Sequence, residues 1–377
     1  LVLFIDDLQW ADSASLQLLQ SLFARPVDDG KAAQGLMLIG AYRNNEVDAA
    51  HPLMHAITAL VEKGIEPTTI ELDNLPVDAV NAWISESLDC LPKQSRPLAT
   101  LVHQKTLGNA FFTAEFLKTL YSENLLKMVE DAKEQTAQWW WDIDQIRLQN
   151  ITDNVVELMT HKLADLPSIT TLALQLAACW GNQFSLDSLA LVTQQPELEL
   201  LQSLMPAIQS GFLLPLDSRY KLLLEGDNPS DVEFCFQHDR VQQAAYVLIS
   251  SEKVAQLHWQ IGQALWIKEN EETELEEGAE RLTGEMFFEM VNHLNLGRTH
   301  IAPAPSPVQL VTLNLHAGYR ALAKNAYESA QAYFDMGLQQ LTTEDEYALT
   351  MSLLLGAAKA TCSLGQWVPM AKRIEQV

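Results

Sequence analysis

Residues 1–12 read LVLFIDDLQWAD, and this stretch decides the first part of the fold. Leu1 to Ile5 is an unbroken apolar run that stops at Asp6-Asp7. A short run rich in Val, Ile and Phe, closed by polar residues, reads as a buried strand. Two carboxylates at the C-terminal end of such a strand have a specific chemical use. A nucleoside triphosphate at that edge of a parallel sheet needs its Mg²⁺ held by a rigid acid, and a second acid can orient the attacking water. Asp6 suits the first role and Asp7 the second. Asp12 or Ser13 can cap a helix over Ser13–Phe23.

Outward from there, GLMLIGAY at 35–42 reads as a second buried strand ending at Arg43, and Thr68–Leu72 as a third. The first 75 residues therefore predict a parallel strand–helix–strand–helix–strand layout. From Pro76 the 3.6-residue period predicts helices near 76–89, 94–106 and 110–127. Residues 128–150 read as a polar linker interrupted by Trp139-Trp140-Trp141, which is expected to pack on a neighbouring domain. Helical patterns recur near 153–164, 168–179, 185–193 and 197–210. Phe212–Leu216 and Val232–Phe236 then read as two strands around a turn-rich stretch holding Gly226, Asn228, Pro229 and Ser230, with a helix from about Asp239. That is the outline of a winged helix.

Residues 252–298 predict helices with an acidic run over Glu269–Glu280, which reads as a solvated face. Pro303, Pro305 and Pro307 predict a linker. In residues 313–341, Gly318, Ala321, Ala330 and Phe334 fall at the offsets of a tetratricopeptide helix pair. A weaker second copy places Gly356 38 residues after Gly318.

Composition bounds the function. The 377 residues suit two to three domains, and 48% hydrophobic with 19% charged residues describes a folded chain. A net charge of −25 opposes a general nucleic-acid or anionic-membrane binder, which needs a positive surface. The last helix before the expected wing, PELELLQSLMPAIQS (196–210), carries no Lys or Arg, so nucleic acid is not an expected partner. Cys90, Cys179, Cys235 and Cys362 lie far apart and suit reduced thiols rather than a disulfide scaffold or zinc site. No transmembrane segment or signal peptide is visible, and the expected compartment is cytoplasmic.

LFIDDLQWAD resembles the Walker B element of the STAND class of P-loop ATPases, relatives of the AAA+ proteins. GLMLIGAYRNNEV is similar to that class's sensor-1 strand, which implies that Arg43 reaches the γ-phosphate and is catalytic, as Asp7 is; without the resemblance, Arg43 reads as a strand-end Arg pairing with any nearby carboxylate. KTLGNAFFTAEFL (105–117) resembles the motif at the start of the lid helix near the adenine: Gly108, Asn109, Phe111 and Phe112 match, and Ala110 stands where proline is usual. The same residues also read, without the resemblance, as a core helix capped by Asn109 with both Phe rings buried. FCFQHDRVQQAAY (234–246) resembles the winged-helix His-Asp pair whose histidine contacts the β-phosphate of bound ADP and holds the closed form.

WWWDIDQI, ITDNVVELMTHKLADLP and LAACWGNQFSLDSLA extend the resemblance to bacterial multi-kinases. Those combine a Ser/Thr kinase-like domain, an ATPase module, tetratricopeptide-like helices, a GAF sensor and a histidine kinase.

The resemblance implies a mainly α fold: residues 1–75 as the C-terminal half of a P-loop α/β domain, 76–150 as helical lid and linker, 151–250 as winged helix, and 251–377 as tetratricopeptide-like repeats. It implies ATP/ADP and Mg²⁺ as cofactors. Asp6, Asn109, Phe111 and His238 would be binding residues, Asp6 the metal ligand, and Asp7 and Arg43 catalytic. Neighbouring kinase or sensor domains, or protein partners, would dock through the repeats. The sequence holds no GxxxxGK[ST], and Gly30-Lys31 lies in a polar loop. Hydrolysis is therefore expected to need an upstream P-loop, and these residues alone are expected to be inactive with an unpaired sheet face. Two alternatives stand beside this: a non-catalytic helical scaffold with a degenerate nucleotide site, and the regulatory part of a transcription activator.

Overall fold

The computed structural model describes residues 1–23, 36–44, 47, 51–131, 136–148, 152, 154–227, 232–275, 284–299, 305–341 and 347–375. The fold is mainly helical. It divides into two compact units, residues 1–70 with 258–377, and residues 71–257.

In the first unit, β1 (Val2–Ile5) leads through a 3₁₀ turn (Leu8–Trp10) into α1 (Ser13–Phe23), then β2 (Met37–Gly40) and α2 (Pro52–Glu62). β1 and β2 are parallel, with Val2 opposite Met37 and Ile5 opposite Gly40. Asp12 is the cap: its carboxylate accepts from Ser15 N at 2.6 Å. Leu8, Leu16, Leu53 and Ala56 form the core, each large side chain contributing about 1.5–3 kcal/mol on burial. A Cβ at Gly40 would overlap Leu8 Cδ1, so a larger residue there would push that side chain out of its place in the core.

The strands remain partly bare. Val2 and Phe4 are about 60% exposed, and Met37 and Ile39 are also exposed, although parallel sheets are normally covered on both faces. The third expected strand, Thr68–Leu72, does not form. Its segment has no ladder partner among the described residues, and Ile70 and Leu72 are exposed at 78% and 92%. β-propensity alone does not satisfy a strand's backbone groups. Gly35, Gly30 and Lys31 lie outside the described residues.

The rest of this unit is helical: α13 (Ser251–Leu275, shared with the second unit before His258), α14 (Gly284–Gly297), α15 (Pro307–Ala323), α16 (Tyr327–Gln340), α17 (Tyr347–Ser363) and α18 (Trp367–Glu375). Pro307 does not lie in a linker. It opens α15 at the position where its missing N–H costs nothing, behind a reciprocal cap between Ser306 and Gln309. Pro303 lies outside the described residues, as do Glu276–Glu280 of the acidic run. Phe334 is fully buried among Val311, Ala321, Ala330, Leu353, Ala357 and Ala360. Gly318 and Gly356 press on its ring from α15 and α17; a Cβ at either would stand 2.5 Å from ring carbons. The 38-residue spacing of those glycines thus has a packing cause.

Between α13 and α14, His258 and His293 are buried with their Nδ1 atoms 2.9 Å apart. Burial, and then the neighbouring His258, push His293 down to about 3. An unfolded histidine takes up its proton near 6.5. Below that pH the unfolded state therefore binds the additional proton, and stability falls as pH falls from about 6.5 towards 3, at up to about 1.4 kcal/mol per pH unit. Urea midpoints at pH 7, 5.5 and 4.5 should show this slope, and His293→Gln should flatten it. Identical slopes in the two proteins would contradict the assignment.

The second unit begins with α3 (Val77–Ser87), α4 (Pro92–Thr106) and α5 (Ala110–Ser122). The expected linker is instead an antiparallel hairpin, β3 (Leu126–Asp131) and β4 (Thr136–Trp141), followed by α6 (Ile143–Leu148). The tryptophans are ladder residues: Trp139, Trp140 and Trp141 pair with Met128, Lys127 and Leu126. Polar composition hid the alternation that the pairing reveals.

Then follow α7 (Val155–Ala164), α8 (Ser168–Trp180), β5 (Gln183–Ser185), α9 (Leu186–Thr193), α10 (Glu197–Gln209), β6 (Leu213–Pro215), α11 (Arg219–Glu225), β7 (Glu233–Phe236) and α12 (Asp239–Val247). The two expected strands form, and a third, β5, joins them in the antiparallel order β5-β7-β6. The stacking of Phe184 on Phe234 holds β5 in place, a long-range contact that no local pattern announces. The turn-rich stretch contains α11, closed by Gly226 at φ 98°; Asn228, Pro229 and Ser230 lie outside the described residues.

Glu115 of α5 is buried and paired to Lys118 (2.7 Å) and to Lys162 of α7 (2.8 Å). Burial pushes its carboxyl up, but the two ammonium groups outweigh this and leave it below its ordinary value. This buried pair ties α5 to α7.

Candidate functional site

The sequence-chosen residues fall into two constellations, one in each unit. The first sits where β1 ends. Asp7 has φ 51° and ψ 43°, a left-handed conformation that is uncommon for a non-glycine residue and marks a sharply constrained turn. It swings the chain from the strand into the 3₁₀ turn. Leu8 N donates to Ala41 O at 2.9 Å, which ties this turn to the end of β2.

Asp6 is exposed, and one of its carboxylate oxygens accepts from Asp7 N at 3.0 Å. Asp7 lies 3.5 Å from Arg43 Nε and accepts from Gln9 Nε2 at 2.9 Å. Gln9 Oε1 in turn accepts from Arg43 N at 3.3 Å, and the Arg43 guanidinium stands 5.5 Å from the Trp10 ring centroid. Asp7 and Arg43 are therefore brought together, a pairing that an Arg at a strand end makes with a nearby carboxylate whether or not a nucleotide binds there. Their pair is about one-third exposed, so it orients rather than stabilises.

The residue that reading missed is Gln9. It is buried at 6% exposure, yet its amide bonds both Asp7 and the backbone of Arg43. A buried amide is kept only when both ends are satisfied. The available signal was a glutamine two residues after the second acid, inside an otherwise apolar turn.

The second constellation joins α5 to α12. Gly108 adopts φ 77°, and a Cβ there would overlap the Leu75 carbonyl; Leu75 N donates to Gly108 O at 2.8 Å. Only glycine fits. Asn109 caps α5, its Oδ1 accepting from Phe112 N at 2.8 Å. Phe112 is buried. The capped-helix reading thus holds for Asn109 and Phe112. Phe111 differs: it is only half-buried, and its ring stacks on His238 with centroids 4.2 Å apart and planes 16° from parallel.

His238 caps α12, with Nδ1 accepting from Arg240 N at 3.1 Å and also touching the Asp239 carboxylate. One nitrogen cannot serve both at once. An unprotonated Nδ1 accepts from Arg240 N, and the neutral ring then carries its proton on Nε2, ready to donate. A protonated Nδ1 donates to Asp239 instead. Both contacts fall on Nδ1, so Nε2 is the atom through which the ring can address an anion.

The donor set suits Mg²⁺ in one respect. Among the described residues no three His, Cys, Asp or Glu groups cluster as a metal cage. Mg²⁺ typically keeps several waters and takes one or two carboxylates plus phosphate oxygens rather than an all-protein cage. An exposed acid such as Asp6 at a strand end fits that mode. No described helix is long and apolar enough to cross a membrane.

The chain is 30% identical, over 349 aligned residues, to a protein of Dictyostelium discoideum called hybrid signal transduction histidine kinase G. The alignment takes in 84% of this chain and 10% of that protein, so the chain spans about a tenth of its relative's length. No family model matches the chain.

Proposed function

We propose that these residues form the ATP/ADP-binding regulatory switch of a signal-transduction kinase. The observation that carries the reading is the stack of Phe111 on His238. It joins two motifs that were singled out separately, 127 positions apart in the chain. The similarity to a signal transduction histidine kinase, and the order acid pair, Arg43, lid motif, His-Asp, support the same reading.

In it, Asp6 holds the Mg²⁺ that accompanies the nucleotide, and that ion supplies charge neutralisation on the phosphates. Asp7 orients and deprotonates the attacking water. Arg43, kept beside Asp7 by Gln9, senses the γ-phosphate. His238 donates from Nε2 to the β-phosphate of ADP, with Phe111 holding the ring plane. Asn109 starts the lid helix near the adenine, and its Oδ1 stays with the helix cap. Residues 151–250 act as the winged helix and α15–α18 as tetratricopeptide-like repeats that receive protein partners or neighbouring domains. A P-loop supplied by residues outside these 377 completes the catalytic set. The compartment is cytoplasmic.

The test is ADP binding to the full-length protein, followed with a fluorescent ADP analogue. His238→Ala should weaken ADP by about tenfold, the loss of one charge-assisted hydrogen bond. It should change ATP affinity far less. No saturable nucleotide binding by the full-length protein would overturn the switch and leave a helical scaffold.

A further inference from the structure

The hairpin formed by β3 and β4 borders a cleft of about 660 Å³ within the second unit. This is within the size range of small-molecule sites. Met128, Gln138 and Trp139–Trp141 of the hairpin line it, together with the turn Leu88–Leu91 after α3 and Gln94 of α4. Among the described residues that line the cleft, Asp89 alone is charged.

Three features point to one ligand chemistry. First, alternation along β4 puts Trp139 and Trp141 on one face and Trp140 on the other. Trp140 already carries a cation: the Lys127 ammonium, across the ladder, stands 4.6 Å from its ring centroid. Trp139 meets Tyr121 edge-on at 5.8 Å. Among the described residues no cation lies over Trp139 or Trp141. Second, Asp89 is exposed, and its carboxylate makes no hydrogen bond or ion pair among the described residues. Third, Asp89 is rigidly placed. Its φ is 44°, and Asp89 N and Cys90 N donate to Glu86 O and Ser85 O at 3.3 and 3.0 Å.

Indole faces attract cations through the ring quadrupole, and an unpartnered carboxylate beside them adds Coulombic selection. A neutral apolar ligand gains nothing from the acid, and an anion is repelled by it. We propose that this cleft is a binding site for an alkylated ammonium cation of choline size, seated against Trp139 and Trp141 with Asp89 as its counter-ion. The site stands apart from the nucleotide reading and does not depend on it.

The probe is choline chloride, titrated calorimetrically into the full chain at constant ionic strength. Its neutral isostere 3,3-dimethylbutan-1-ol serves as control, because it has the same shape without the charge. Choline should bind saturably at one site and at least fivefold more tightly than the alcohol. Asp89→Asn should remove most of that preference. Asparagine tolerates the left-handed conformation, so the turn survives, and the change alters one charge in a net −25. This separates a local counter-ion from general attraction to an acidic protein. Trp139→Phe, which keeps an aromatic ring but a weaker quadrupole, should lower choline affinity severalfold. Equal affinity for choline and the alcohol would overturn the proposal. So would an unchanged preference in Asp89→Asn, or no saturable choline binding by the unsubstituted chain.

Discussion

On the proposed reading of these residues as part of an ATPase switch, Asp7→Asn in the full-length protein is expected to lower ATP hydrolysis by about 10²–10⁴-fold, the usual contribution of a positioned general base, while ATP affinity changes by only a few-fold. The substitution isolates chemistry from folding for structural reasons. Asparagine accepts the φ 51° conformation that Asp7 holds. Its amide oxygen still accepts from Gln9 Nε2, so the link through Gln9 to the backbone of Arg43 survives. The change removes the negative charge and the basic oxygen. Steady-state turnover and nucleotide affinity should be measured on the same preparation. Retained turnover would remove Asp7 from the reaction, and with it the strongest of the motif assignments.

The largest expected stability effect belongs to Phe334→Ala, at about 3–5 kcal/mol. The ring is fully buried. Two of its neighbours, Gly318 and Gly356, have no side chains with which to fill the space it leaves, and the alanines around it are equally short. The cavity therefore cannot collapse without moving whole helices, which places the cost at the upper part of the range. For a unit of this size the thermal midpoint should drop by roughly 10 °C. Circular dichroism and urea titration of the two proteins check it. A loss below about 1 kcal/mol would mean that α15, α16 and α17 do not share one core. The sequence reading found the three residues by their spacing; the structure explains why small, small and aromatic must coincide.

Other elements were legible to different degrees. The end of β1 was plain and the helix cap was narrowed to Asp12 or Ser13, because an apolar run meeting acids and a polar pair ahead of a helical pattern are local statements; the structure selects Asp12. Asp7 and Arg43 were each legible at the polar end of a strand, but their pairing comes from the parallel register of β1 and β2. Thr68–Leu72 misled, since its β-branched residues signal a strand only when another strand accepts its backbone. The Trp hairpin was missed for the converse reason. Its β3 half, LKMVED, is as polar as a linker, and only its ladder with β4 identifies it. Likewise the meeting of Phe111 with His238, and of His258 with His293, involves partners far apart in the chain whose side chains carry no mark of each other.

The sequence by itself determined the helical periods and the cap at Asn109. These depend on backbone geometry within a few residues, where steric limits and unsatisfied N–H groups act whatever lies elsewhere. Tertiary structure alone decided which apolar segments became strands and which polar residues were buried. It also decided which rings were set face to face, because hydrogen-bond ladders, desolvation and stacking exist only once a distant partner has arrived.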